Sequence, residues 1–171
     1  IEGGDNGWTH AAASGSVDSW TRGSASHGGS FAWQAANPSA GAPNEQWLVS
    51  PSVTLPTDLN GLNLQFWNQQ SLKTGGGGCY DGAILEVSTD NGGTWTQLPD
   101  TALLTAPYDG TISGSFGNPL GGDSGWCGDP QAYLNSIVDL QNYAGMTVQF
   151  RFNLGHDRFT HRSGPNWAID D

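Results

Sequence analysis

The most constraining feature of this sequence is a repeated alternation of apolar and polar residues with a period of two. It is clearest in segments 62–67 and 147–153. Successive side chains of a β-strand point to opposite faces, so a single apolar face indicates half-buried antiparallel strands. Gly-rich and Asp-rich stretches separate these segments, and helical periodicity is nearly absent. The pattern predicts an all-β fold, an antiparallel β-sandwich.

One hairpin is well marked. Segment 83–89 leads into Asp90-Asn91-Gly92-Gly93, and segment 94–98 follows it. Asn-Gly supplies the positive φ angles of a tight turn at little cost, so these residues predict two antiparallel strands joined by a turn. Segment 132–144 is the single helix candidate, although its centre, Ile137-Val138-Asp139-Leu140, also reads as a strand.

Two long segments lack a strand pattern. Segment 10–29 is rich in Ser, Ala and Gly, and segment 108–133 contains seven glycines. Long loops in compact domains are usually functional or held in place. Because there is no internal repeat and no linker, we predict a single domain over residues 1–171. The chain begins with Ile1 rather than Met, and we expect it to be a piece of a longer precursor.

The charge balance excludes two classes of partner. The chain has 16 acidic and 5 basic residues, a formal net charge of −11, and Lys73 is its one lysine. Phosphate backbones are bound by Lys and Arg, so we expect no nucleic acid. No apolar run approaches the roughly 18 residues that span a bilayer, and an anionic membrane surface would repel the chain. We therefore expect no membrane insertion.

Cys79 and Cys127 are the two cysteines. The low Lys content, the many small polar residues and the acidic balance favour a secreted, extracellular protein. In an oxidising compartment the two thiols would form a disulfide. Two free buried thiols are the alternative.

No motif indicates catalysis. Gly122-Asp123-Ser124-Gly125 resembles the nucleophile segment of trypsin-type proteases, but no histidine has the context that a catalytic triad requires. Glycoside hydrolysis needs two facing carboxylates, and no motif marks such a pair. We expect no enzymatic activity in this chain.

The aromatic residues divide into two groups. Those in strand patterns are predicted to form the core: Trp33, Phe66, Trp67, Phe150, Phe152 and Trp167. Those in loops either cap the sandwich or form a flat platform that binds a sugar ring or a partner: Trp20, Tyr108, Trp126 and Tyr133. The four loop aromatics are the candidate ligand-binding residues.

Several segments in order resemble one family of secreted modules. They are Glu2-Gly3-Gly4 with Gly7-Trp8, Leu48-Val49-Ser50-Pro51, the hairpin from Tyr80 to Trp95, and Trp167-Ala168-Ile169-Asp170-Asp171. The pattern resembles the MAM-like and choice-of-anchor-type jelly rolls. These accompany immune-inhibitor-A-type and fungalysin-type metalloproteases and other secreted bacterial hydrolases. Galactose-binding-like carbohydrate modules are more distant relatives.

The resemblance implies a jelly roll with a structural calcium ion. In the carbohydrate-module relatives, a Glu of the opening segment and an Asp of the closing strand bind calcium, which carries over to Glu2 and Asp170. Calcium prefers six to eight oxygen ligands and would hold the two chain ends together. Weaker candidate ligands are Asp5, Asp81, Asp157 and Asp171. Solvated strand-end carboxylates are the alternative for Glu2 and Asp170.

The resemblance leads to three function hypotheses. The first is a non-catalytic accessory module of a secreted protease or other hydrolase, which binds a macromolecule or packs on the neighbouring catalytic domain. The second is a carbohydrate-binding module that uses the loop aromatics. The third is an adhesion or surface-display domain. In each case we expect a monomer whose partner is an extracellular protein, a polysaccharide or the catalytic domain.

Overall fold

The computed structural model describes residues 2–36, 41–76, 78–159 and 164–171, and these ranges consist almost entirely of strands and loops. The strands are β1 (Thr9–Ala12), β2 (Thr21–Gly23), β3 (Ala32–Ala36), β4 (Asn44–Val49), β5 (Val53–Thr54), β6 (Asn63–Gln70), β7 (Thr74–Gly75), β8 (Gly78–Cys79), β9 (Gly82–Ser88), β10 (Thr96–Gln97), β11 (Gly110–Thr111), β12 (Ser124–Gly125), β13 (Leu134–Asp139), β14 (Thr147–His156) and β15 (Pro165–Asp170). Two single 3-10 turns, Asp100–Ala102 and Gln141–Tyr143, are the helical segments in the described ranges.

Two sheets stack face to face. The front sheet has the order β1-β4-β14-β9-β10, and β5 pairs with the start of β14. The back sheet has the order β13-β6-β15-β3-β2. Neighbouring strands are antiparallel in both sheets, and the chain crosses repeatedly from one sheet to the other. These crossings and the antiparallel pairing confirm the predicted fold class, an all-β antiparallel sandwich of the jelly-roll type.

Aromatic side chains fill the space between the sheets. Trp167 of β15 lies 5.9 Å from the Phe152 ring of β14, and Phe66 of β6 lies 5.1 Å from the same ring. Trp33 and Trp167 are almost completely buried. The alternation in β14 and β15 therefore points their large apolar residues into a shared core, as the period of two predicts.

The predicted core position of Trp67 is wrong. Phe66 and Asn68 on either side of it are buried in the sandwich, so Trp67 points to the outer face of the back sheet. The His27 ring stacks on it, with 3.6 Å between ring centroids and 11° between planes. The error comes from adjacent aromatics in one strand, since residues next to each other in a strand cannot share a face.

A disulfide joins Cys79 and Cys127, as predicted. It connects β8 to the long Gly-rich loop across 48 residues of sequence separation. Closing a loop of that length stabilises the folded state by up to about 4 kcal/mol on the chain-entropy model. The long loop is thus held against the sandwich at one point by a covalent bond.

The predicted hairpin is present. β9 and β10 pair through Val87 and Thr96, and the turn between them contains Asn91 and Gly92 at φ 58° and 83°. The Asp90 carboxylate accepts hydrogen bonds from the Thr94 amide and hydroxyl, both at 2.8 Å. These bonds lower the pKa of Asp90 to about 2, the Thr94 amide contributing most.

The ambiguous segment 132–144 is mainly a strand. β13 occupies its centre and pairs with β6, and a single 3-10 turn follows. Val138 is fully buried opposite Leu64, so tertiary pairing decides between the two interpretations. In the described ranges there is no helix with the length and apolar character needed to cross a membrane.

Candidate functional site: a tryptophan–arginine face on the front sheet

The outer surface of the front sheet carries an unusual set of side chains. We call it the tryptophan–arginine face and define it by Trp47, Glu86, Trp95, Arg151 and Asn153. Leu48, Leu85 and Phe152 belong to the buried core, so their strand neighbours point outward. Cross-strand pairing places Arg151 opposite Glu86 and Asn153 opposite Trp47. Three adjacent strands therefore bring four of these residues onto one face, and Trp95, which directly precedes β10, contacts Arg151 there.

Arg151 is held at the centre of the face. Its Nε donates to Glu86 Oε2 at 2.6 Å, and one terminal nitrogen donates to Glu86 Oε1 at 2.8 Å. Bidentate pairs of this kind combine charge with a fixed planar geometry. The two side chains retain only 16% and 10% of their exposure, so the pair is shielded from solvent.

Two tryptophan rings flank this guanidinium. Its central carbon lies 5.2 Å from the Trp47 ring centroid and 4.8 Å from that of Trp95. Both rings are partly exposed. Cation–π attraction contributes roughly 0.5–2 kcal/mol per contact and fixes the orientation of each ring. The face thus presents two oriented aromatic surfaces.

Asn153 lies beside Trp47 and is 1% exposed. Its Nδ2 donates to Glu45 Oε1 at 3.0 Å, which fixes the orientation of the amide. Among the described residues, Asn153 Oδ1 has no hydrogen-bond partner. A buried acceptor without a donor costs about 1–3 kcal/mol. A donor supplied from outside the described chain would remove that cost.

Acidic groups border the face on the β10 side. Gln97 of β10 pairs with Glu86, and its Nε2 donates to the Ser124 carbonyl at 2.6 Å. Asp123 therefore lies close to Glu86. Burial raises the pKa of the Asp123 carboxyl, and the charge of Glu86 raises it further. Burial is the larger cause, and the added effect of Glu86 indicates that the two carboxylates lie near each other.

One end of the front sheet is covered by the long Gly-rich loop. Gly82 and Gly155 face each other across β9 and β14. A Cβ at Gly82 would lie 2.4 Å from Ile112, and one at Gly155 would lie 2.4 Å from the Asn118 side chain. The loop packs directly on strand backbone at this end. These loop contacts do not involve Trp47, Trp95 or Arg151.

Three of the four predicted ligand-binding aromatics do not lie on an exposed face. Trp20, Tyr108 and Trp126 are 4%, 9% and 1% exposed. The Trp126 ring lies 4.8 Å from that of Tyr108 and 6.1 Å from that of Trp167. The capping alternative therefore holds for these three, because a buried ring cannot stack on a ligand. Burial also raises the pKa of Tyr108 to about 12.

Tyr133, the fourth candidate, is partly exposed on the opposite side of the molecule. Its hydroxyl donates to the Ala25 carbonyl, and its ring meets that of His27 edge-on at 5.7 Å. Burial and the nearby charge of Asp170 raise the pKa of Tyr133 to about 12. The Tyr133 ring thus helps to hold segment 24–31 in place and is not an isolated aromatic surface.

The two principal metal candidates, Glu2 and Asp170, bind the backbone of the same loop. Glu2 Oε1 accepts from the Ser30 and Phe31 amides, each at 2.9 Å. Asp170 Oδ2 accepts from the His27 and Gly28 amides at 2.7 and 3.0 Å. The carboxylates of the first and last segments therefore both bind segment 27–31. We call this arrangement the chain-end seam.

Two of the weaker metal candidates form a separate buried cluster. Asp157 accepts a hydrogen bond from Lys73 Nζ at 3.2 Å and pairs with its charge, while its backbone amide donates to Asp81 Oδ1 at 2.9 Å. Both carboxyl groups are almost completely buried. Within the described ranges, no group of three or more His, Cys, Asp or Glu side chains is arranged to hold a metal ion. Asp81 and Asp157 are thus part of an ion-pair network that includes a lysine.

The sequence did not single out the tryptophan–arginine face. The available signal was positional: Glu86 and Arg151 occupy polar positions between apolar residues of their strands, and Trp47 precedes the apolar Leu48. The position of a residue in the alternation shows which face of the sheet its side chain is on. It does not show which strands lie next to each other, and that strand order brings the side chains of Trp47, Glu86 and Arg151 together.

The chain is similar to "TmCBM61 in complex with beta-1,4-galactotriose", with a TM-score of 0.49 and 14% sequence identity over 98% of this chain and 92% of that one. No family model and no curated protein matches the chain. The relation to MAM-like modules therefore stays a prediction.

Proposed function

We propose that this chain is a non-catalytic carbohydrate-binding domain and that the tryptophan–arginine face is its binding surface. The observation that carries the proposal is the pair of oriented, partly exposed rings of Trp47 and Trp95 on either side of Arg151. The apolar face of a sugar ring packs well on such a flat aromatic surface. Carbohydrate binding is the second of the three hypotheses from the sequence, but it is assigned here to Trp47 and Trp95 rather than to the four loop aromatics.

The polar groups around the rings support the same function. Glu45 places a partly exposed carboxylate beside Trp47, and one of its oxygens accepts a hydrogen bond from Asn153. Sugar hydroxyls are donors that can bond to its other oxygen. A site that combines apolar contact with a few fixed polar groups is typical of small-ligand recognition.

The test is affinity electrophoresis of the purified chain through gels that contain soluble neutral polysaccharides. We expect retardation by at least one polymer, and loss of retardation in Trp47→Ala and in Trp95→Ala. Trp67→Ala is the matched control, because Trp67 is also an outward-facing tryptophan but lies on the back sheet. Equal retardation of all three variants would show that binding occurs elsewhere, and a mobility unchanged by every polymer would refute the function.

An accessory role beside a secreted hydrolase is compatible with this proposal. A carbohydrate-binding domain increases the local concentration of its enzyme on a polymer. The disulfide favours an oxidising, extracellular location. The identity of any neighbouring catalytic domain stays a prediction that rests on the family resemblance.

Calcium at the chain-end seam is a second part of the proposal. Glu2 and Asp170 fit the ion in part, because their carboxylates bind one loop but already accept backbone amides there. Calcium would need several further oxygens from carbonyl groups or water. Excess calcium should raise the melting temperature relative to EDTA, and the increase should disappear in Asp170→Asn, which keeps an acceptor for the amides. Identical melting curves in calcium and EDTA would exclude the ion.

A further inference from the structure

The single cation in the tryptophan–arginine face is not free to bind an anion. Both Oε atoms of Glu86 accept hydrogen bonds from Arg151, and tryptophan rings lie over the guanidinium. An incoming carboxylate or sulfate would have to displace Glu86, which would then be left nearly buried and unpaired. Uncompensated buried charges are strongly unfavourable.

The other described cations are engaged elsewhere. Lys73 pairs with Asp157, Arg22 donates to the Glu2 carbonyl, and Arg158 lies over the Phe159 ring. None of these partners belongs to the tryptophan–arginine face. The described part of the chain therefore offers no second positive group for an anionic ligand at this surface.

Negative charge surrounds the same surface. Glu45 is hydrogen-bonded to Asn153, Glu86 is paired with Arg151, and Asp123 lies next to Glu86. Three carboxylates with one guanidinium leave an excess of negative charge. The whole chain carries a formal charge of −11, which adds a repulsive field at low ionic strength. Fields of this kind act over about 8–10 Å at ordinary salt concentrations.

We infer that the tryptophan–arginine face selects its ligand by charge, and that it binds uncharged or amino-bearing polysaccharides and rejects uronic acid and sulfated ones. The inference rests on the proposed function, and it names the ligand class of that same site. The partly exposed carboxylates at this surface are Glu45 and Asp123, so a ligand rich in hydroxyl or amino donors complements them. An anionic polymer presents carboxylate or sulfate oxygens, which are acceptors and cannot hydrogen-bond to the acceptor groups of the face.

The experiment compares polymers that share a backbone and differ in charge. Affinity electrophoresis uses hydroxyethyl cellulose against carboxymethyl cellulose, and methyl-esterified polygalacturonan against the free acid. Soluble chitin and chitosan oligosaccharides are compared by calorimetry. Where a cellulose or galacturonan pair is bound, we expect the neutral member to bind about tenfold or more tightly than its anionic counterpart, with the difference decreasing as salt is raised. Where the chitin pair is bound, we expect the amino-bearing chitosan to bind at least as tightly as chitin.

Charge variants test the assignment to this surface. Glu45→Gln combined with Asp123→Asn should increase affinity for the anionic polymer several-fold while leaving the neutral polymer bound. Asp139→Asn, which removes one charge from β13 of the back sheet and keeps an acceptor oxygen, should change neither affinity.

The outcomes separate the two proposals. Equal or tighter binding of an anionic member overturns the charge selection while leaving carbohydrate binding intact. If Glu45→Gln combined with Asp123→Asn discriminates between the neutral and anionic polymers as strongly as wild type, the charge selection is also overturned. The selection would then arise from other residues. Failure of every polymer to bind removes the carbohydrate function and this inference with it.

Discussion

The two outer faces of the sandwich each carry an outward-facing tryptophan, and the side chains that surround the two rings differ. On the front sheet, Trp47 lies beside Arg151 and remains partly exposed. On the back sheet, Trp67 is also partly exposed, but the His27 ring stacks on one of its faces. The carboxylates of Glu2 and Asp170 hold segment 27–31, which carries His27, across this part of the back face. The anchored loop thus takes up one ring face of Trp67 that a ligand would otherwise contact.

The largest effect should come from breaking the central ion pair of the front face. Arg151→Ala leaves Glu86 unpaired at low exposure, and we expect a loss of about 3 kcal/mol in the free energy of unfolding. Arg151→Lys should recover part of this loss, since Lys keeps the charge without the bidentate geometry. Urea denaturation measures both. A loss below about 1 kcal/mol in the alanine variant would mean that solvent compensates for the pair.

A smaller effect is expected at the chain-end seam of the back face. Asp170→Ala removes the acceptor of the His27 and Gly28 amides, and we expect a loss of about 1–3 kcal/mol. Faster hydrogen exchange at these two amides would locate the change. Asp170→Asn should retain most of the protection. Equal protection in wild type and in Asp170→Ala would show that other contacts hold the loop.

Removing the His27 ring that stacks on Trp67 should make the exposure of the outward tryptophans on the two faces more similar. His27→Ala takes away a stacked contact worth roughly 0.5–1.5 kcal/mol. We expect stronger acrylamide quenching of tryptophan fluorescence than in wild type. The double variant His27→Ala with Trp67→Phe is the control, and it should lose that increment. An unchanged quenching constant in His27→Ala would indicate that the loop covers Trp67 without the imidazole.

The smallest effects concern acid titration, which also differs between the faces. Amides lower the pKa of Asp90 in the front hairpin to about 2, and the Phe31 and Ser30 amides lower that of Glu2 in the seam. A depressed folded-state pKa gives stabilisation that is complete above the unfolded values, 3.8 for Asp90 and 4.5 for Glu2, and is lost as pH falls through the folded pKa.

Nuclear magnetic resonance can follow these two groups separately. The Thr94 amide should keep its neutral-pH chemical shift until the pH approaches 2, and the Phe31 and Ser30 amides should shift at a pH below 4.5. Asp90→Asn should abolish the Thr94 transition without affecting Phe31. A Thr94 midpoint near the ordinary pKa of 3.8 would contradict the hydrogen bonds assigned to the turn.

Local sequence rules were sufficient where one strand or one turn decides the structure. The alternation in 147–153 gave the strand and its buried face, and Asn91-Gly92 gave the hairpin. They were insufficient for loop residues such as Trp20 and Trp126, whose burial depends on distant parts of the chain. The tryptophan–arginine face was missed for the same reason, because β4, β9 and β14 are neighbours in space and far apart in sequence.

Apolar periodicity and turn residues determined by themselves that this protein is an antiparallel β-sandwich, and the acidic balance predicts little affinity for polyanions. Tertiary structure alone decided which outward aromatics are covered and which polar groups surround the open ones. The physical reason is that strand parity is a property of a single backbone segment. Burial and partnership depend instead on the order of strands in the sheet and on loops anchored from residues more than a hundred positions away, as His27 is to Asp170.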